Sequence, residues 1–197
     1  MNKTEIKILP LTADENLIGK ITSLHKQLFD KDHFTARFDE KLLNKYFYLL
    51  LSNSSHKICA FKDQEVIGYL IAGVKLDDVL RKFSKEYFIR LIILLIKNPR
   101  FLLEKFLDLM TRLIHKNKKS KADMRLFLIA SKHDENIKGV GKLLIENLEK
   151  HLIEKGITFY GLSVRKHNQQ AINFYKRLGF IEEFITHKSI YFIKKLS

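Results

Sequence analysis

A chain of 197 residues in which 46% of the side chains are apolar is long enough to bury a sizeable core, and its few prolines and glycines exclude fibrous and disordered classes. The single cysteine, Cys59, excludes an internal disulfide framework and fits a reducing compartment, so a cytoplasmic location is expected. A formal net charge of +14 implies anionic partners without choosing among nucleic acid, membrane and acidic ligands.

Met1-Asn2-Lys3 leads into a strand-like segment rather than an apolar run, so no secretory signal is expected. Ile6 to Leu9 reads as a first strand ended by Pro10. Thr12 and Glu15 are spaced as a capping box, with Thr12 as N-cap of a helix reaching about Phe29. Leu17, Ile18, Ile21, Leu24 and Leu28 would share its buried face. A polar loop from Asp30 to Phe38 precedes a second helix from Asp39 to about Leu51. Lys57 to Phe61 and Glu65 to Val74 read as a hairpin turning at Lys62-Asp63-Gln64.

Further strands are expected at Met124 to Ser131, Thr158 to Val164, Phe180 to Ile185 and Ser189 to Lys194. Helices at Gly141 to Glu154 and Gln169 to Leu178 separate the middle ones. This alternation predicts an α/β fold, with a mixed central sheet of about six to seven strands flanked by helices in a single domain over 1–197.

Residues 78–121 stand outside the alternation. Phe88, Leu91, Ile92, Leu95 and Ile96 form one helical stripe, and Phe101, Leu102, Phe106, Leu109 and Leu113 another beyond Asn98-Pro99. That pattern predicts an inserted helical hairpin. Between Arg81 and Lys121 the chain carries twelve Lys or Arg against Glu86, Glu104 and Asp108, a local excess of +9. Arg90 and Lys97 bracket its most apolar run, which is far short of the roughly 20 residues a spanning helix needs.

Two motifs carry chemistry. In the first, an apolar strand runs through a polar loop into Asn136-Ile137-Lys138-Gly139-Val140-Gly141-Lys142 and then a helix. Glycines let a phosphate approach the backbone, and the helix N-terminus supplies free N–H groups; Lys138 and Lys142 add charge. A tight turn needing glycine for geometry alone would look the same. The second motif is Asn168, Ala171, Phe174, Tyr175, Gly179 and Phe180, in fixed spacing. Together these two stretches resemble the acetyl-CoA site of the GNAT acetyltransferases, although Asn136 stands where that family usually has Gln or Arg.

The resemblance implies the GNAT fold, acetyl-CoA as cosubstrate, and direct transfer of an acetyl group to a primary amine. It implies that Ile129 and Ser131 lie beside the acetyl group and upper pantetheine, and that Asn136, Lys138, Gly139, Val140, Gly141 and Lys142 hold the pyrophosphate. Asn168 and Ala171 would complete the cofactor site, Asn168 also capping its helix. Tyr175 would protonate the departing thiolate. The two strands ending near Ser131 and Leu162 would splay to admit the cofactor. His33, in the loop between the first two helices, is the candidate general base; an exposed loop histidine is the other reading. His25 reads as a satisfied structural residue. No His or Cys cluster has metal-ligand spacing, so no metal is expected.

Leu24-His25, Leu28-Phe29, His33-Phe34, Phe38 and Tyr46 also resemble bacterial GNAT proteins of polysaccharide-biosynthesis clusters, which carry a similar basic insertion. That resemblance implies an amino-sugar acceptor, nucleotide-linked or lipid-linked. A protein or peptide N-acetyltransferase and a non-catalytic CoA-binding regulator remain as alternatives. The insertion admits three readings: a packed hairpin or homodimer interface, a basic helix lying on anionic membrane at 81–121, or a surface for an acidic acceptor. No RNA-binding module or stacking-aromatic signature is present, so nucleic acid is set aside.

Overall fold

The computed structural model describes residues 5–29, 33–103, 119–133 and 137–196. Seven strands form one sheet in the order β1-β2-β3-β4-β5-β7-β6. They are β1 (Lys7–Pro10), β2 (His56–Lys62), β3 (Glu65–Val74), β4 (Met124–Ser131), β5 (Phe159–Arg165), β6 (Ile181–Ile185) and β7 (Ser189–Lys195). β4 and β5 run parallel and the other neighbouring pairs are antiparallel, which bears out the mixed sheet.

The first helix, α1 (Glu15–Leu28), buries Ile18, Ile21 and Leu24 as its periodicity requires. Its N-cap is Asp14, whose carboxylate accepts the Leu17 N–H at 2.9 Å. This corrects the expected capping box. The Thr12 hydroxyl donates to the Asp14 carboxylate instead, because the helix begins two residues later than the box would place it. Asp39 caps the second helix, α2 (Glu40–Asn53), in the same way, accepting the Leu42 N–H at 3.0 Å.

The insertion starts earlier than the sequence pattern indicates. Left-handed Lys75 turns the chain directly into α3 (Leu76–Glu86), which buries Leu76, Val79 and Phe83. A kink at Tyr87 separates it from α4 (Phe88–Ile96), and a further helical segment occupies 99–103 after Pro99. The expected stripe on α4 is rotated: Leu91, Leu94 and Leu95 face inward half-buried, while Phe88, Ile92 and Ile96 are exposed. Phe106, Leu109 and Leu113, from the second expected stripe, lie outside the described residues.

Two apolar cores flank the sheet. On one face α5 (Val140–Glu154) and α6 (Gln169–Arg177) pack Leu144, Ile145, Leu148, Leu152 and Ile172 against Leu70, Leu126, Tyr160, Leu162 and Phe192. On the other, α1, α2 and α3 cover Tyr69, Ile71 and Ala130. Aromatic contacts tie the insertion to this second layer: Phe83 packs on Phe38 at 6.0 Å and Phe101 on Phe34 at 5.3 Å, while Arg90 pairs with Asp39 at 2.7 Å.

The β2–β3 hairpin turns through Asp63 (φ 49°) and Gln64 (φ 66°), both left-handed. That geometry suits the strand twist but strains an L side chain, and glycine is the usual occupant of the second position. Gln64→Gly should therefore stabilise the fold by about 1 kcal/mol, read as a raised urea midpoint with an unchanged m-value.

Candidate active site

The site begins with what the sheet leaves unpaired. β3 pairs with β4 along its length, from Val74↔Met124 to Gly68↔Ser131, with a register shift that leaves Phe127 without a partner. β5, on the other side, pairs with β4 at Arg125↔Gly161 alone. Beyond that point Leu126 to Ser131 and Leu162 to Arg165 share no ladder position, so the strands diverge and leave a gap edged by backbone polar groups. Buried or half-buried groups of this kind need hydrogen-bond partners. Ile129 and Ser131 are half-buried along the gap.

At its mouth sits the start of α5. Gly139 precedes the helix at φ 79°, ψ 0°, a left-handed conformation that glycine adopts without cost. The first intrahelical bond is Leu143 N–H to Gly139 C=O at 3.0 Å, and Gly139, as the N-cap, has no side chain with which to cap the turn. The N–H groups of Val140, Gly141 and Lys142 therefore point out of the helix without intrahelical acceptors. Two glycines make room. A Cβ on Gly68 would come within 2.9 Å of Val140 Cγ1. One on Gly141 would stand 3.4 Å from the Phe174 ring and 3.5 Å from Ser131 Oγ.

Ser131, Gly141 and Phe174, drawn from both sequence motifs, thus meet in space. Lys138 and Lys142 are exposed at the same turn, Lys142 pairing with Glu146 at 3.5 Å. Asn136 lies outside the described residues.

From the second motif, Asn168 caps α6 by accepting the Ala171 N–H at 3.0 Å. Ala171 is half-buried against the α5 core. Tyr175 is buried between the rings of Phe174 and Phe180, at 5.2 and 5.4 Å. Burial pushes its phenol well above the ordinary value, so it stays protonated at every working pH. No hydrogen-bond partner for its hydroxyl occurs among the described residues.

On the opposite face a polar chain crosses the second core. His25 is fully buried, with Nδ1 2.6 Å from the Tyr69 hydroxyl and Nε2 2.7 Å from Thr35 Oγ1. Thr35 Oγ1 lies in turn 2.7 Å from His33 Nδ1. Tyr69 stands opposite Ala130 of β4, so β4 separates the inner end of this chain from the gap. Two proton orders connect the groups. Hydrogen bonds can be donated outward from Tyr69 through His25 and Thr35 to His33, or inward from His33 to Tyr69. Tyr69 and Thr35 were not picked out by sequence reasoning; the available signal was a histidine on the apolar stripe of α1, which requires buried polar partners.

Tyr175 and His33 therefore belong to opposite faces of the sheet. No group of three or more His, Cys, Asp or Glu suited to a metal occurs among the described residues.

Residues 108–180, which include β4, α5, β5 and α6, match the model of the Acetyltransferase (GNAT) family. No curated protein sequence matches the chain. Solved structures do. PaiA N-acetyltransferase from Thermoplasma acidophilum, in complex with coenzyme A, aligns with a TM-score of 0.59 at 16% identity, covering 97% of this chain and 99% of its own. The ribosomal-protein-S18-alanine N-acetyltransferase from Escherichia coli gives 0.57 at 17%, covering 98% and 95%. Arabidopsis thaliana NAA60 in complex with acetyl-CoA gives 0.56 at 14%, covering 98% and 99%. At these identities the likeness is one of fold, and that fold is the GNAT fold expected from the motifs.

Two buried histidines set an acid limit on the fold. Burial, with His33 nearby, lowers His25 from 6.5 to about 3. Burial, with His151 stacked at 4.3 Å, lowers His56 to about 4. Each folded-state value lies below the unfolded one, so the unfolded chain binds the extra protons. Stability is then full above pH 6.5 and falls as pH drops toward 4 and 3. Urea midpoints measured from neutral pH downward should decline, and His25→Gln should flatten the decline.

Proposed function

We propose that this chain, an acyltransferase of GNAT type by its 108–180 stretch and its fold, moves an acetyl group from acetyl-CoA directly to a primary amine of a small acceptor. The observation that carries this reading is the parting of β4 from β5 after Arg125↔Gly161, with the glycine-led start of α5 close to Ser131 at the end of β4. Glycine at 139 and 141 and the open N–H groups of the first helical turn suit a pyrophosphate, with Lys138 and Lys142 supplying charge. Asn136 is proposed to complete that contact. The pantetheine arm, itself rich in amides, suits the unpaired strand edges beside Ile129 and Ser131, and Ala171 and Asn168 line its exit.

The amine attacks the thioester carbonyl, and a backbone N–H on the gap-facing edge of β4 between Phe127 and Ser131 stabilises the oxyanion. His33 accepts the ammonium proton. Its place in the hydrogen-bonded chain with Thr35, His25 and Tyr69 supports that role. As the tetrahedral intermediate collapses, the carbon–sulfur bond breaks and Tyr175 gives its proton to the departing thiolate. Burial raises the phenol, so its proton is still present when the sulfur leaves.

The acceptor reading is an amino sugar, nucleotide-linked or lipid-linked, with the whole of 1–197 as one domain carrying the insertion at about 78–121 and acting in the cytoplasm. The tie of the insertion to the loop bearing His33, through Phe34 and Phe101, supports an acceptor site shaped by the insertion.

Calorimetric titration with acetyl-CoA, CoA and dephospho-CoA should give micromolar binding that Gly141→Val abolishes; no binding at near-millimolar ligand would overturn the reading. With an acceptor in hand, Tyr175→Phe should lower kcat by roughly 10²-fold while leaving acetyl-CoA affinity unchanged, and His33→Gln should remove the low-pH limb of the kcat/KM profile. Unchanged turnover in Tyr175→Phe at all pH values would remove the acid role. Transfer to peptides but not to amino sugars would reassign the acceptor and leave the chemistry standing.

A further inference from the structure

α4 is a helix whose composition and surroundings disagree. Its nine residues, Phe-Ile-Arg-Leu-Ile-Ile-Leu-Leu-Ile, hold eight apolar side chains and one arginine, yet none of them is buried. Leu91 and Leu94 lean on the α1–α2 layer. Phe88, Ile89, Ile92, Ile93 and Ile96 face outward, with Ile89 75% and Ile96 66% exposed. Positions 88, 92 and 96 and positions 89 and 93 are neighbouring helical rows, so these side chains form a continuous stripe. Leu102 and Leu103 of the next helical segment are exposed as well. Single exposed leucines are ordinary; a contiguous aliphatic block marks a surface that meets something apolar.

Charge selects what covers it. Between 81 and 103 the chain carries Arg81, Lys82, Lys85, Arg90, Lys97 and Arg100 against Glu86 alone. Arg90 and Lys97 lie one helical turn to either side of Ile93 and so flank the stripe. Asp39 and Asp78 offset part of this charge, pairing with Arg90 at 2.7 Å and Arg81 at 3.3 Å. A second copy of this chain docked face to face would set two cationic rims against each other. An acidic protein would answer the charge but gains little from an aliphatic stripe with a single aromatic, since interface cores favour aromatic anchors.

A lipid surface of negative charge meets both demands. At 1.5 Å per residue α4 is about 14 Å long, less than half of a bilayer's hydrocarbon thickness of about 30 Å. No helix among the described residues is long and apolar enough to cross a membrane. The helix lies on such a surface rather than through it.

We infer that α4 docks this protein on an anionic phospholipid bilayer, sinking Phe88, Ile89, Ile92, Ile93 and Ile96 to the acyl boundary while the flanking lysines and arginines hold headgroups. The docked helix stays fixed to the fold through Phe83 on Phe38 and Phe101 on Phe34, so the loop bearing His33 comes to rest near the membrane surface. Docking does not depend on acetyl transfer, and acetyl-CoA titration reports on that reading separately.

The test is co-sedimentation of the full chain with vesicles of equal parts phosphatidylglycerol and phosphatidylcholine, beside vesicles of phosphatidylcholine alone. Binding is expected to the anionic vesicles, weakened at least about tenfold by high salt and by Ile89→Asp with Ile93→Asp, and weakened also by Lys82→Glu with Lys85→Glu. All four positions are exposed, and retained acetyl-CoA binding would confirm that the variants fold. No sedimentation of the wild-type chain with anionic vesicles, or equal sedimentation with both kinds, overturns the inference. So does a concentration-dependent dimer, measured by light scattering, that the double aspartate variant dissolves.

Discussion

The constraint on which this structure turns is a failure of pairing. A seven-stranded sheet is held along its length by backbone hydrogen bonds except between β4 and β5, which meet at Arg125↔Gly161 and then part. A gap through the middle of a sheet removes the ladder that would lock its two halves together, so something else has to bridge them. α5 does so. Its apolar stripe of Leu144, Ile145, Leu148 and Leu152 sits in the same core as Ile67 and Leu70 on one side of the gap and Tyr160 and Leu162 on the other. A polar clamp adds to this: Tyr160 of β5 donates to Glu149 of α5 at 2.7 Å, and Lys194 of β7 reaches the same carboxylate at 2.6 and 2.8 Å. A half-buried charge pair of this kind contributes more to register than to net stability, but removing one partner strands the other.

Because α5 must bridge the gap, its N-terminus is forced to the gap's mouth, and that couples scaffold to chemistry. Gly68 is the visible sign. Any side chain there would strike Val140 and lift the first turn of α5 away from β4. The same constraint brings Gly141, Ser131 and Phe174 together, although they lie far apart in sequence. Strand divergence, glycine turn and bridging helix are three views of one arrangement, which is why the site proposed for an extended, phosphate-bearing ligand needs no further machinery.

How much of this was legible in the sequence follows from which forces are local. The apolar periodicities of α1, α2 and α5 and the alternation of strands gave the elements and their order, since each depends on residues within a few turns. Glycine at 139 was legible as a turn because left-handed backbone leaves few alternatives. The chain from His33 through Thr35 and His25 to Tyr69 was not legible. It spans 36 residues between His33 and Tyr69, and only the packing of α1 onto β3 brings its ends together. The capping of α1 failed for a subtler reason: Thr12 and Asp14 are both good caps, and the choice rests on where β1 releases the chain.

The rotation of α4 is the most instructive of these departures. Periodicity identifies an amphipathic helix only when one face is polar, and α4 has eight apolar residues of nine, so every stripe drawn on it is equally apolar. What fixes its orientation is tertiary: Tyr87 continues the buried row from Phe83 to Leu91, and the Arg90–Asp39 pair holds the opposite flank toward α2. With those contacts made, the helix has more apolar surface than the fold has places to put it. Folding alone gives no reason to keep isoleucine at 89, 93 and 96, where a lysine or glutamate would serve a water-facing helix as well. The surplus of apolar surface and the surplus of positive charge fall on the same stretch of chain, and a single anionic, apolar-cored partner accounts for both.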